Sequence, residues 1–270
     1  MALHPLAVAS TLVSLSTAIQ SAELIVLRNS FSDEGIWRWA TLRREFEGYP
    51  GLVQRLLDSI LGYRGFLLLL VTRLAAAGLL AASVLLSLDP SLAFIATVVL
   101  LLSTLAIGVR WRGTFNGGSD YMTIVVLTGL TISAALPYSK SAALAALAYI
   151  AFHSINSYFV AGAVKFGSAD WRSGRALSAF VSSGSYGIWP KAERLLNNPA
   201  VGIALCWATI LFELAFPLVL LSQPVCLVFL VIGGLFHLSN VYVFGLNRFF
   251  WAWTATYPAI YWCSGLLGGG

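Results

Sequence analysis

The segment SLAFIATVVLLLSTLAIGV, residues 91–109, contains no charged side chain and no proline. A helix of about 20 mostly apolar residues is long enough to cross the hydrocarbon core of a bilayer. All backbone groups inside such a helix can pair with one another, as a lipid-exposed segment requires. We therefore predict a membrane-spanning helix here, and the rest of the chain follows the same pattern.

The composition places most of the chain in lipid. Hydrophobic residues make up 59% of the 270 residues, charged residues 10%, and the mean hydropathy is +0.83. A water-soluble domain has too little interior to bury this much apolar surface. We predict an all-α integral membrane protein: a single bundle of about eight transmembrane helices with interfacial amphipathic helices, forming one domain over residues 1–270 without an extramembrane domain. The predicted spans are 5–27, 65–87, 91–109, 119–137, 141–165, 200–221, 225–245 and 250–265.

The basic residues are distributed unequally between the two sides of the predicted bundle. Of the 16 lysines and arginines, all but Lys140 and Arg73 fall on the side that carries the long loops 28–64 and 166–199. The positive-inside rule makes that side cytoplasmic. We expect a multi-pass protein of the plasma (inner) membrane, with both loops carrying interfacial amphipathic segments and membrane lipid as a partner.

The sequence lacks the motifs of metal sites, nucleotide-binding proteins and common hydrolases. Cys206, Cys226 and Cys263 lie in or beside apolar segments, and no cysteine or histidine spacing fits a metal site. There is no P-loop, GxGxxG, HExxH or GxSxG motif. We therefore predict no metal, no nucleotide-driven transport and no nucleic-acid partner.

Polar side chains inside the predicted spans are the candidate functional residues, because each costs about 2.5–3.5 kcal/mol at the helix centre and needs a partner or a function. They are Glu23, Arg73, His153, Asn156, Lys165, Glu213, His237 and Asn240, with Asp120 at a helix start.

Lys165 ends the fifth predicted span and has two interpretations. A lysine at this depth can reach the lipid boundary as an anchor. Alternatively, Ala161, Gly162 and Ala163 admit a neighbouring helix and turn the lysine inward, where a neutral amine is a competent base. Tyr158 lies on the same helix face.

The other candidates are expected on the same side of the membrane. Asp120 sits in a first helical turn, where the helix dipole favours it, and with Asn116 it could instead orient Lys165. His237 and Asn240 lie one turn apart and form an inward polar spot. Glu213 also faces inward, with Arg73 as a candidate counter-charge. We therefore predict that Lys165, Asp120, His237 and Asn240 converge on one polar pocket, with Glu213 lower or at its wall.

Several motifs resemble one family in order along the chain. YFVAGAVKFGSADWRSG (158–174) resembles the "YF-x-AG-x-x-K" and "ADW-x-x-G" segments of vitamin K-dependent gamma-carboxylases and of the wider HTTM (horizontally transferred transmembrane) domain family. FHLSN (236–240) resembles the family's "FHL-x-N". FSDEGIW (31–37) and NGGSDY (116–121) resemble its "sDxG" and "nggD" turns.

The resemblance implies roles for individual residues. Lys165 matches the family lysine taken as the base that activates a reduced, vitamin K-like quinone, and His237 and Asn240 match pocket residues. Trp171 and Gly174 match the turn after the catalytic helix. Two departures argue against a full carboxylase: the NGGSDY turn lacks the carboxylases' histidine, and the large extramembrane domain is missing.

Three functions follow as expectations. The first is a membrane enzyme with catalytic Lys165, His237 and Asp120, and with Asn116, Tyr158, Trp171, Asn240 and Glu213 around a quinone-like cosubstrate. The second is a component of peptide-toxin production or maturation, similar to the sporulation-delaying B type, with a secreted peptide substrate or a separately encoded soluble partner. The third is a quinone- or lipid-binding membrane protein without catalysis.

Overall fold

The computed structural model describes residues 3–110, 118–182 and 194–267. Its α-helices are α1 (Leu3–Val26), α2 (Trp39–Leu42), α3 (Gly51–Leu61), α4 (Tyr63–Leu85), α5 (Pro90–Arg110), α6 (Ser119–Ala135), α7 (Lys140–Gly167), α8 (Ala169–Arg172), α9 (Arg175–Ser182), α10 (Pro199–Ala215), α11 (Gln223–Phe244), α12 (Asn247–Thr254) and α13 (Tyr257–Leu267). Short 3₁₀ helices cover Arg28–Phe31, Arg43–Phe46 and Phe216–Leu220. No strand occurs within these ranges, so the all-α prediction is confirmed.

Among the described residues, six helices are long and apolar enough to cross a membrane: α1, α4, α5, α7, α10 with its 3₁₀ extension, and α11. The predicted span 119–137 is represented by α6, whose 17 residues reach about 26 Å. Helix α6 stops before Pro137, since a proline disfavours helical geometry in the residue that precedes it.

The predicted eighth span, 250–265, is not one helix. The chain turns at Ala255 and Thr256, between α12 and α13. Pro258 lies in the first turn of α13, where its missing N–H costs no helical hydrogen bond. Of the eight predicted spans, the described residues therefore show six as long helices, one as the shorter helix α6 and one as a segment interrupted at residues 255–256.

The chain divides into two compact units, Leu3–Ala146 and Leu147–Gly270, with the boundary inside α7. In the first unit, α1 packs against α4, α4 against α5, and α5 against α6. Its apolar core includes Leu24, Phe66, Leu70 and Ile107. In the second unit, α11 packs against α12, α13 and the 3₁₀ helix, and α10 packs against α8 and α9.

Arg73 is fully buried inside the first unit and joins three of its helices. One terminal nitrogen donates to the Thr17 carbonyl and to Ser21 Oγ, each at 3.1 Å. The other donates to Gln20 Oε1 at 2.7 Å and to Thr104 Oγ1 at 3.1 Å. The acceptors belong to α1 and α5, so one guanidinium on α4 holds all three helices together.

Arg110, at the end of α5, is also fully buried. Its guanidinium lies 5.4 Å from the Phe66 ring, 5.5 Å from Phe31 and 5.7 Å from Trp39. It donates to the backbone carbonyls of Phe31 and Trp37. The loop after α1 is thereby fixed to α5 through cation–π contacts and hydrogen bonds. The sequence analysis counted Arg110 only among the basic residues on the side of the long loops.

The long loop 28–64 contains the amphipathic helix predicted for it, α3. Leu52 and Leu56 are 80% and 58% exposed, whereas Leu61 at the end of α3 is buried. Helix α3 is followed immediately by α4, which places exposed leucines beside a membrane span. Such a helix suits the bilayer interface.

Asp58 on α3 binds the first residues of α2 and of the 3₁₀ helix Arg43–Phe46, and this contact can be tested by changing the pH. Trp39 Nε1 donates to its carboxylate at 2.7 Å and Arg43 Nε at 2.8 Å. These two donors, the tryptophan bond foremost, lower the pKa of Asp58 below its ordinary value. A lowered pKa in the folded state stabilises the loop above the unfolded pKa of about 4, and this contribution is lost as the pH falls through the folded value.

We expect the indole ¹⁵N–¹H resonance of Trp39, in the detergent-solubilised chain, to titrate with a midpoint below about 4, the ordinary value for an aspartate. The Asp58→Asn variant should show no such titration. A midpoint at or above the ordinary value would contradict the contact.

Candidate functional site

One face of α7 carries three polar side chains that each contact another segment of the second unit. Ser154, Tyr158 and Lys165 recur at spacings of four and seven residues, which keeps them on one side of the helix. Ser154 Oγ lies 2.9 Å from Thr256 Oγ1. The contacts of Tyr158 and Lys165 form the two clusters described next.

Lys165 forms an ion pair with Glu213 on α10. Its ammonium donates to both carboxylate oxygens, at 2.6 and 2.8 Å. The side chains are 19% and 5% exposed, respectively. The Trp171 ring lies 5.1 Å from the same ammonium, so Lys165 is enclosed by a carboxylate and an aromatic face. The counter-charge of Glu213 is Lys165 rather than Arg73, which bonds to α1 and α5.

Gly162 permits this pairing because α7 and α10 approach closely beside it. A Cβ atom at position 162 would lie 2.7 Å from the Leu214 backbone nitrogen and 2.9 Å from Glu213 Cβ. Only a residue without a side chain fits such a separation. The prediction that small residues beside Lys165 admit a neighbouring helix is confirmed at Gly162.

We expect Gly162→Ala to destabilise the protein by about 1–3 kcal/mol, because the added methyl group must push apart two backbones. Gly167→Ala, on the same helix, is the matched control, since a Cβ there meets no atom within 4 Å. Thermal unfolding in detergent measures both variants. Equal stability of the two variants would contradict the close approach.

Tyr158 is the centre of a second, aromatic cluster. Its hydroxyl lies 2.6 Å from His237 Nε2 and 3.3 Å from the Tyr257 hydroxyl. The Tyr158 ring stacks on Phe216 with centroids 3.7 Å apart, and the His237 ring stacks on Trp253 at 5.2 Å. Tyr158, His237 and Trp253 are all buried. The cluster offers hydroxyl and ring nitrogen atoms within apolar walls.

Three predicted site residues belong to neither cluster as defined above: Asp120, Asn116 and Asn240. Asp120 belongs to the first unit, in the first turn of α6, with Gln20 Nε2 at 3.5 Å from its carboxylate. Asn116 is outside the described residues. Asn240 is half-buried near the end of α11, and its backbone carbonyl accepts the Leu246 N–H. The shared pocket of Lys165, Asp120, His237 and Asn240 stays a prediction.

Sequence reasoning missed Trp253, Tyr257 and Phe216 because aromatic residues in apolar segments carry no charge signal. One clue was available for Tyr257. It directly precedes Pro258, and proline inside an apolar run marks a helix boundary. No pattern could have selected Phe216, since its role depends on which helices pack together.

One comparison with known proteins identifies a family. Residues 133–263 match the family model of the HTTM domain, and this range contains Lys165, Glu213, Tyr158 and His237. Neither a curated protein nor a solved structure matches the chain significantly.

Proposed function

Because this chain is a membrane protein of the HTTM family, we propose that its second unit is the core of a membrane enzyme. In this proposal Lys165 is the base, Glu213 is its proton partner, and the cosubstrate is an amphipathic, quinone-like molecule that enters from the lipid. The observation that carries the proposal is the inward ion pair, with Lys165 Nζ 2.6 and 2.8 Å from the Glu213 carboxylate. Intramembrane ionisable groups mark working sites more often than structural ones.

The pair can create a neutral amine without an external base. Removing two charges from water is costly, so a shift of one proton from Lys165 Nζ to a Glu213 oxygen yields an amine and a carboxylic acid at little expense. The free amine then accepts a proton from a substrate hydroxyl and becomes an ammonium again. The resulting substrate anion lies beside that ammonium, and the proton held by Glu213 is available for a later step.

The residues present fit a flat, partly apolar ring with oxygen substituents. Trp171 and Tyr158 supply aromatic faces near the polar atoms of Lys165 and His237. A reduced quinone, when bound, would supply an ionisable hydroxyl and electrons for oxygen-dependent chemistry. The chain's own contributions are to orient the ring, exclude water and take up the proton at Lys165 Nζ.

A second candidate is a binding protein without catalysis, and the same ion pair favours it. In that case Lys165 and Glu213 only neutralise each other in the membrane interior, and the proton does not move. The two candidates differ in the protonation state of Glu213 when a ligand binds.

Infrared difference spectroscopy distinguishes the enzyme from the binding protein. The chain in nanodiscs is mixed with reduced menadione under nitrogen, and the enzyme proposal predicts a new carboxylic-acid C=O band. Glu213→Gln should remove this band. Lys165→Arg should also remove it, because an arginine keeps its proton and cannot transfer it to Glu213. Bound menadiol with no new band would overturn the enzyme proposal and favour the binding protein.

A further inference from the structure

The aromatic cluster around Tyr158 contains two buried ring nitrogens that the protein leaves unpaired. Among the described residues, neither His237 Nδ1 nor Trp253 Nε1 has a hydrogen-bond partner. The two residues are only 2% and 6% exposed. Buried polar atoms are almost always hydrogen-bonded, so each unpaired atom indicates a ligand or an internal water.

The two nitrogens belong to one stacked pair. The His237 and Trp253 ring planes are 15° apart, and the centroids are separated by 5.2 Å. The Tyr158 ring packs 4.4 Å from Trp253. Both nitrogens therefore belong to rings of the same aromatic cluster.

The hydrogen-bonding roles of His237 Nδ1 and Trp253 Nε1 determine which chemical group can pair with them. The indole N–H can only donate, so Trp253 requires an acceptor. When Tyr158 donates to His237 Nε2 across 2.6 Å, Nδ1 carries the imidazole proton and requires an acceptor as well. An oxygen atom with free lone pairs is a suitable acceptor for each of the two donors. A charged ligand is disfavoured, because no ion pair among the described side chains involves this cluster.

We propose that the His237–Trp253 pair binds an oxygen acceptor and that this oxygen extends a hydrogen-bonded chain through His237, Tyr158 and Tyr257. The acceptor is an internal water or the carbonyl oxygen of a small amphipathic ligand. The donors of this site differ from those of the Lys165–Glu213 pair, and Tyr158 precedes Lys165 by two helical turns, about 10 Å along α7. The proposal does not depend on Lys165 acting as a base.

Ultraviolet resonance Raman spectroscopy of the full chain in nanodiscs tests the site, because indole bands shift when the N–H donates a hydrogen bond. The Trp253 spectrum is the wild type minus Trp253→Phe. The matched reference is the wild type minus Trp251→Phe, since Trp251 Nε1 donates to Asn247 Oδ1 at 3.1 Å. We expect both difference spectra to show a hydrogen-bonded indole. A Trp253 band typical of an unbonded N–H would overturn the proposal.

A second measurement needs no substitution in the cluster. The chain has three histidines, and ¹⁵N-histidine NMR with His4→Gln and His153→Gln leaves His237 as the one remaining signal. The proposal predicts the Nδ1–H tautomer with a hydrogen-bonded Nδ1 shift. An Nδ1 shift without hydrogen bonding would overturn it even if Trp253→Phe does not fold.

Delipidation distinguishes the two sources of oxygen. A bonded signature that survives organic extraction and repurification identifies an internal water. A signature that disappears on extraction and returns when menadione is added identifies a ligand carbonyl. Either result supports the proposal, whereas a signature that is missing before and after extraction refutes it.

Discussion

Lys165→Arg should reduce menadiol-dependent oxygen uptake by about 100-fold to 10,000-fold, the range that a general base contributes, while the protein remains folded in the membrane. Arginine can keep the contact with Glu213, because its guanidinium forms paired hydrogen bonds with a carboxylate. It cannot give up its proton. The variant therefore removes the proposed chemistry and preserves the charge pair.

The measurement uses the chain in nanodiscs with an oxygen electrode. Lys140→Arg is the matched control, since Lys140 begins the same helix and belongs to the other unit. It should behave as the wild type. Full oxygen uptake by a folded Lys165→Arg variant would exclude the catalytic role and leave the binding protein as the function.

Glu213→Ala should lower the free energy of unfolding by about 3 kcal/mol, because the Lys165 ammonium then stays in the membrane interior without a counter-charge. This value is the lower end of the usual range, since the lysine is 19% exposed and can move partly toward water. Denaturant unfolding in mixed micelles measures the change.

The double variant Lys165→Met with Glu213→Leu completes the test. Replacing both charges with apolar side chains of similar size is often neutral or stabilising, so stability should return to near the wild-type value. A double variant as unstable as Glu213→Ala would show that packing, and not the unpaired charge, causes the loss.

The membrane helices could be predicted from sequence because lipid imposes a local rule. Residues 91–109 satisfy it without any tertiary information, and the structure places α5 over Pro90–Arg110. The interruption at Thr256 was missed, since residues 250–265 contain no charged side chain and hydropathy does not detect a change of direction. Pro258 was the one local signal of the break.

The partners of buried charges could not be predicted in the same way. Lys165 and Glu213 are 48 residues apart, and their pairing depends on the close approach of α7 and α10 at Gly162. The burial of Arg110 had no sequence signal, because a basic residue at the end of a span is usually solvated at the interface. Three aromatic rings surround its guanidinium, two of them from the loop after α1.

The Arg73 network has a consequence for biogenesis. An arginine at the centre of a membrane helix costs about 2.5–3.5 kcal/mol on insertion. Of the four acceptors named above, three are on α1, which is synthesised before α4, and Thr104 is synthesised after it. The nascent α4 thus meets most of its partners already in the bilayer, so the order of the helices along the chain lets the charged segment enter lipid with its hydrogen bonds supplied.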